Sequence, residues 1–484
     1  MESPYSIIAS RRNSKLAAKA DIYKLLSDSY KGGFDYVNAV PSHLEQYDRE
    51  YSGAYKKRQK RSVYINFLQP IVDILVGFIF KDSPNRSGVP PQLKFMTENA
   101  SKRKGMTTFM QGVASQSCMM TLGVLVDSPA FDPNQYKTEA ARIAAGLQPY
   151  ACVYMPWQIR DFACDDQMNL LWVLLDDCRV EKSDPLKPAV EKKIYRLWTR
   201  TFYQDFEIKE DAVTKQNQVI PGEPVAHPLG EVPFHFVNWR DTNDDHVSDS
   251  PMEDIAIISR MIYNIMSYLE EMLASGTFKT LFFPVKSQDD IPEAITKKGV
   301  SESPVATFDG TLSKQPYFDG AKLEEIGPFV QAFNLYKLQI FSKVGMDVDR
   351  DKTYVQSGAA IGKEFQKTEA LLKAGSEAME ECEEFIYRMA ALWQGQRLED
   401  SQIEVEYIRD YQQADVAAEF TRLKAVYDMA VPDLSRLALE KIAKMLFPDE
   451  DAKRLSDQEW KREPQTPPLV PPSGESTQQE GMND

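Results

Sequence analysis

The sequence predicts an α+β fold in which two helices bracket a small β-rich insert. Three observations carry that expectation. From Pro251 to Trp393 the chain reads as a helix, a Pro/Gly-broken insert, a second helix, a glycine-containing loop and one long charged helix. Between Gly123 and Trp239 the apolar period changes to two, as in antiparallel strands separated by turns. Before and after those regions the spacing returns to a helical period.

Taken in order, Ser14 to Ala54 reads as helices and loops, tyrosine-rich and mixed in charge. Lys56, Lys57, Arg58, Lys60 and Arg61 form the basic cluster, read as a solvated helix face, with a contact to nucleic acid or an acidic neighbour as the alternative. Leu68 to Phe80 is an apolar helix, Lys81 to Gln92 a Pro/Ser/Gly turn region, and Met106 to Thr121 a buried helix. Strands are expected at Gly123–Asp127, Tyr150–Met155, Leu170–Leu175, Ile194–Phe202 and Val232–Val237. Asp241 to Asp249 is a loop, after which Ser250 caps the next helix with Pro251 at its first position.

That helix spaces Ile255, Ile258, Ile262, Ile265, Leu269 and Met272 by alternating threes and fours, with Arg260, Asn264, Ser267 and Glu270 off the stripe. The insert holds strands at Phe278–Val285 and Val305–Phe308 and one helical turn at Ile291–Lys297, kept short by Pro284, Pro292, Pro304 and Pro316. The second helix aligns Phe329, Phe333, Tyr336, Ile340 and Val344. Asp347 to Gly358 is a dense charged loop. The long helix then begins near Ala360 and runs its stripe through Phe365, Leu372, Met379, Cys382, Ile386, Met389 and Trp393, with Thr368 and Gly375 at the two exceptional steps. Ile403 to Tyr407 alternates as an edge-like strand, Val416–Met429 and Asp433–Leu446 form a helical pair, and Glu463 to Asp484 is a Pro/Ser/Gln/Gly tail expected to be disordered. Such a helix–insert–helix core suits a slice of a ring better than a small-molecule enzyme.

At 484 residues the chain exceeds what one core usually holds, so two or more folding units are expected. Hydrophobic content of 43% and charged content of 27% are globular values. A net charge of −15 argues against a surface that grips nucleic acid by its phosphates, yet suits a wall past which a duplex slides. Five widely spaced cysteines without a C-x-x-C pair suggest reduced thiols, and no run reaches the ~20 apolar residues of a membrane span. The expectation is a soluble, non-secreted protein.

Catalytic motifs do not emerge. His43, His227, His235 and His246 match no zinc spacing. Gly358-Ala-Ala-Ile-Gly362-Lys363 has one residue too few for a phosphate loop and Glu364 where Ser or Thr should hold magnesium, so it reads as a helix entrance built of small residues. The doublets Asp165-Asp166, Asp176-Asp177, Asp244-Asp245, Asp289-Asp290, Glu380-Glu381 and Glu383-Glu384 point in different directions and are read as solvated surface. No cofactor, no metal and no enzymatic activity are expected.

Across most of its length the chain resembles the portal proteins of tailed bacteriophages, the head–tail connector rings. The resemblance is carried by Tyr64-Ile65-Asn66 before Ile71 to Lys81, by Gly123 to Asp127, Pro156 to Phe162 and Gly230 to Phe234, by Asp254-Ile255-Ala256 with Tyr263-Asn264, by Ser357 to Ala360 with Lys363-Glu364-Phe365, and by Glu404 to Tyr407 before Ala417-Ala418-Glu419. None of these motifs is chemical; their order over the chain is the signal. The resemblance implies a portal-like fold with a wing over 1–250, a first stem helix over 251–275, a clip over 276–325 and a second stem helix over 326–346. A tunnel loop over 347–359, a long wing helix and strand over 360–412, a helical crown over 413–447 and an acidic, Pro-rich tail over 448–484 complete it.

By the same resemblance the stem would use Ile255, Ile258, Ile262, Ile265, Leu269, Phe329, Phe333, Tyr336 and Ile340. The tunnel loop would present Asp347, Asp349, Arg350, Asp351, Lys352, Tyr354 and Gln356 to DNA, with Arg350 and Lys352 making transient phosphate contacts. Phe278, Lys279, Phe282, Phe283, Lys297 and Lys298 of the clip would dock partners. Implied are a homo-oligomeric ring of twelve at one capsid vertex of the virion, assembled in the host cytoplasm. Its implied partners are double-stranded DNA, terminase, a head–tail adaptor and the major capsid and scaffold proteins, with no membrane. A different head–tail component of adaptor type and a nucleic-acid-processing packaging enzyme stand as alternatives.

Overall fold

A computed structural model describes residues 5–101, 104–129, 141–142, 145–181, 186, 188–210, 217–240, 246–285, 305–309, 315–320, 322, 326–345, 358–399, 402–407, 409 and 411. The expected tunnel-loop residues Asp347, Asp349, Arg350, Asp351, Lys352, Tyr354 and Gln356 lie outside these. So do Lys297, Lys298, the helical turn at Ile291–Lys297, the crown and the tail.

The fold is mixed α+β. Short helices α1 (Ser6–Ser10), α2 (Ser14–Ala18), α3 (Ala20–Lys31), α4 (Gly33–Val37) and α5 (Ser52–Arg61) precede the apolar α6 (Leu68–Ile79). Then come β1 (Asn85–Ser87), α7 (Phe95–Glu98), α8 (Met106–Ser117), and strands β2 (Leu122–Asp127), β3 (Tyr150–Tyr154), β4 (Ile159–Cys164), β5 (Leu170–Asp176), β6 (Arg179–Glu181), β7 (Val190–Thr199), β8 (Phe202–Glu210), β9 (Asn217–Pro221), β10 (Val225–Ala226) and β11 (Phe234–Val237). Helix α9 (Glu253–Thr277), strands β12 (Thr280–Val285), β13 (Val305–Asp309) and β14 (Tyr317–Asp319), helices α10 (Gly327–Val344) and α11 (Gly358–Trp393), and β15 (Glu404–Glu406) follow.

The period-two stretch is antiparallel throughout. It divides into a three-stranded sheet, β11-β2-β3, and a seven-stranded sheet built on β10-β8-β7-β5-β4 with β6 and β9 as side pairs. Alternation puts neighbouring residues on opposite faces, and both faces are covered. Val173 and Leu175 enter the main core with Trp198, while Leu174 joins Tyr195, Phe206 and Ile208 in a second cluster that Ile8 of α1 closes. The single strand expected over Ile194–Phe202 is instead the end of β7 and the start of β8. Thr199 donates its hydroxyl to the Phe202 carbonyl at 2.8 Å and accepts from the Phe202 amide at 3.1 Å, which turns the chain at Arg200-Thr201.

Leu372, Met379, Cys382, Ile386 and Met389 of the long helix are buried as their stripe requires, the side chain of Phe365 lies outside the described ones, and both exceptional steps have a packing reason. Thr368 is buried and donates to the Val344 carbonyl at 2.5 Å. Gly375 lies where a Cβ would sit 2.9 Å from Ile79 Cδ1 and 3.0 Å from the Trp239 ring, so α11 passes close over α6 only because that position is bare. Gly358 opens the helix, in line with the reading of the Gly358–Lys363 stretch as an entrance.

Four local expectations change. Asn85–Ser87, read as part of a turn region, is β1, paired antiparallel with β15 in the register Arg86–Val405. Glu383, read as solvated, is fully buried: Arg86 Nε and Nη2 reach its two oxygens and the Tyr407 hydroxyl donates to Oε2 at 2.8 Å. Ser250 takes the Met252 amide at 3.0 Å, but Pro251 and Met252 form a turn and the helix starts at Glu253. Of the basic cluster, Lys56, Lys57, Lys60 and Arg61 are exposed as expected and Arg58 is buried.

Candidate functional site

Helices α9 and α10 form a hairpin with the β12–β14 sheet at its far end. At 1.5 Å per residue the 25 residues of α9 span about 37 Å and the 18 of α10 about 27 Å. They run antiparallel, since Lys343 near the end of α10 ion-pairs with Asp254 at the start of α9. Pro328 in the first turn and Gly345 in a left-handed C-cap (φ +69°) mark the ends of α10.

The root of the hairpin is fixed to the N-terminal helices. Asn264 accepts the Glu45 amide at 2.8 Å and donates to the His43 carbonyl at 3.3 Å. Arg58 donates to Ser267 at 3.1 Å, to the two oxygens of Glu50 at 2.9 and 2.7 Å, and to the Glu45 carbonyl at 2.5 Å, and its guanidinium lies over the Tyr47 ring. Its hydrogen bonds to Glu50 raise the arginine's pKa and hold the Glu50 carboxyl below its ordinary value. Two charges are thus matched in a site whose arginine lies against the rings of Tyr47 and Tyr55.

These contacts rotate α9 relative to the expected stripe. Its buried face is Ile255, Ala256, Ser259, Ile262, Tyr263 and Ser267, whereas Ile258, Ile265, Leu269 and Met272 are half-buried. Ser267, placed off the stripe by sequence, is fully buried because it meets Arg58. On α10, Ile340 is buried and Phe329, Phe333 and Tyr336 are half-buried, as their common stripe requires. The opposite side of α10 carries Val330, Leu335 and Leu338, with Leu335 55% and Leu338 53% exposed. Leu335 and Leu338, with Ile257, Ile258 and Lys343, line an open groove of about 760 Å³. Sequence reasoning passed over this second apolar side, although Val330, Leu335 and Leu338 fall outside the first stripe and could have been counted.

At the far end β12 lies between β13, parallel, and β14, antiparallel. Phe282 stacks on Tyr317 at 5.1 Å between centroids, and Phe308 packs against the same ring. Leu281 is the buried residue of this sheet among those described; Phe278, Lys279, Tyr317 and Phe318 are exposed, and Phe282 and Phe283 half-buried. The structure therefore brings Phe278, Lys279, Phe282 and Phe283 together on one small sheet.

Three histidines and two cysteines elsewhere are engaged or buried within the chain. The His227 ring donates to the Thr199 carbonyl at 3.1 Å, His246 to that of Met168 at 3.0 Å, and His235 stacks on Phe385. Burial pushes the Cys118 and Cys382 thiols up. Among the described residues no group of three or more His, Cys, Asp or Glu could hold a metal ion, and no helix is long and apolar enough to cross a membrane.

No protein-family model matches this chain, and no curated protein matches it.

Proposed function

We propose that this chain is the subunit of a portal ring at one vertex of a tailed-bacteriophage capsid. In that role the ring is the channel through which duplex DNA is packaged and ejected, and the α9–α10 hairpin is its stem. The observation that carries the reading is the two-sided apolar character of α10. Its inner stripe packs within the chain, while Val330, Leu335 and Leu338 stand in solvent on the other side. A helix with apolar residues on both sides needs a second covering surface, and a neighbouring copy turned about a ring axis supplies one at every position.

The rest of the proposal follows from the same arrangement. The β12–β14 sheet is the clip, on which terminase and later a head–tail adaptor dock through Phe278, Lys279, Phe282 and Phe283. Its outer strands β13 and β14 offer edges for further pairing. An acidic chain of net charge −15 keeps the duplex from sticking to the channel wall. Capsid and scaffold proteins are the partners on the head side, and the ring acts as a conduit without enzymatic activity of its own. The protein resides in the virion and assembles in the host cytoplasm.

Negative-stain imaging and mass photometry of the purified protein test this. The expected outcome is a hollow ring, with twelve subunits in the particle. A compact single chain at every concentration, absent from the unique vertex of particles, overturns it.

A further inference from the structure

A cavity of about 500 Å³ opens between α2–α3 and the Pro156–Arg160 segment that leads into β4. It shares no lining residue with the hairpin or its β tip, and its volume falls within the roughly 300–1,000 Å³ of small-molecule sites. Leu16, Tyr23, Pro156, Trp157 and Ile159 give it apolar walls, and Trp157 is half-exposed although it is a large aromatic.

Four cations line the same space: Arg12, Lys24, Lys31 and Arg160. Asp28 is the one carboxylate among the described lining residues, and it is already engaged by Lys24 Nζ at 2.7 Å and His43 Nε2 at 2.9 Å. The surplus charge is therefore positive. Arg160 is only 5% exposed. Its Nη2 donates to the Ala9 carbonyl at 3.2 Å and its guanidinium lies over the Tyr195 ring, but its buried Nε has no partner. Burial lowers its pKa, and the nearby charge of Arg12 adds to that, while Tyr195, Asp176 and Cys178 oppose it. A buried cation that forms no direct ion pair among the described residues is costly, and an anion entering the cavity would relieve the cost. Arg12 is held for that task by its neighbours: Arg11 pairs with Asp161 at 3.0 Å, and the Asn13 amide donates to the Arg160 carbonyl at 2.7 Å.

We propose that this cavity binds a small apolar carboxylate, its hydrocarbon part against Leu16, Tyr23 and Trp157 and its carboxylate facing Arg12 and Arg160. The pairing of an apolar chamber with guanidinium groups that form no ion pair among the described residues selects that class over neutral apolar molecules and over polar anions.

The test is calorimetric titration of the purified full-length protein with hydrocinnamate and, in parallel, with the matching alcohol. Saturable binding of hydrocinnamate is expected, with the alcohol weaker by about tenfold or more, the loss of one charge-assisted hydrogen bond. Ala20→Phe, which fills the cavity from an exposed lining position, and Arg12→Gln, which removes one cation at the surface, should each weaken hydrocinnamate by a similar factor while leaving the melting temperature unchanged. Trp157→Phe should abolish the change in tryptophan fluorescence that accompanies binding. Equal affinity for acid and alcohol, wild-type affinity in both Ala20→Phe and Arg12→Gln, or no saturable binding at millimolar ligand would each overturn the proposal.

Discussion

Arg86 and Glu383, separated by 297 positions in the chain, meet through two hydrogen bonds inside the core, where Glu383 is wholly shielded from solvent. The arginine comes from β1 and the glutamate from the middle of α11. Burying such a pair costs desolvation of both ions, so its net stabilisation is small, but removing one partner strands the other. Glu383→Ala should therefore lose about 3–5 kcal/mol in denaturant unfolding, whereas the double change Arg86→Met with Glu383→Leu should lose much less. Similar midpoints for the single and double variants would refute this account.

Gly123 in β2 sits beneath a ring. A Cβ there would lie 1.9 Å from Phe234 Cζ, an atom of the paired strand β11. Phe234 is itself buried and packs against Tyr154 and Phe236, so it cannot swing away freely. Gly123→Ala should destabilise by about 1–3 kcal/mol through overpacking, read as a lower urea midpoint at unchanged slope.

His235 gives the protein a pH dependence of defined sign. Burial, with smaller contributions from His246 and Arg388, pushes its pKa from 6.5 down to about 4. Between those values the unfolded chain binds a proton that the folded chain does not, so stability falls as pH drops from 6.5 toward 4. His43 and His227 are shifted in the same direction by burial. The expected loss from His235 is about 2 kcal/mol, less than the full shift implies because the ring keeps some solvent contact. The gap between urea midpoints at pH 7 and pH 5 should narrow in His235→Gln, with the remainder left to His43 and His227; an unchanged pH slope would rule the assignment out.

Leu335→Glu with Leu338→Glu tests the outer side of α10. Both positions are more than half exposed within the chain, so the folded subunit should change stability by no more than about 0.5 kcal/mol. Assembly should suffer instead, with mass photometry showing monomers at concentrations where the parent chain forms larger species. Assembly equal to the parent would remove this face from the interface.

Much of the helical architecture is legible in the sequence because its signals are local. The α11 stripe, including Thr368 and Gly375, follows from spacing alone, since each step reports what one face must bury. The orientation of α9 is not local. Ser267 looks like a surface residue until Arg58, 209 positions away, is seen to arrive over the helix. Likewise nothing near Asn85–Ser87 announces a strand, because its partner is Glu404–Glu406. At the candidate site, Ile255, Ile262 and Ile340 were readable as apolar positions, and the clustering of Phe282 with Tyr317 was not, since their pairing depends on the β12–β14 register. Polar residues serving as core and strands defined by distant partners are the two classes that periodicity misses.

The two-stranded ribbon of β1 and β15 also constrains when the molecule can finish folding. Its halves leave the ribosome more than three hundred residues apart, so β1 and Arg86 must wait through synthesis of both sheets and the hairpin before α11 and β15 arrive. Closing so wide a loop is entropically slow. A nascent chain stopped anywhere before α11 would hold Arg86 without Glu383 to receive it, which makes this ribbon a late-closing clasp.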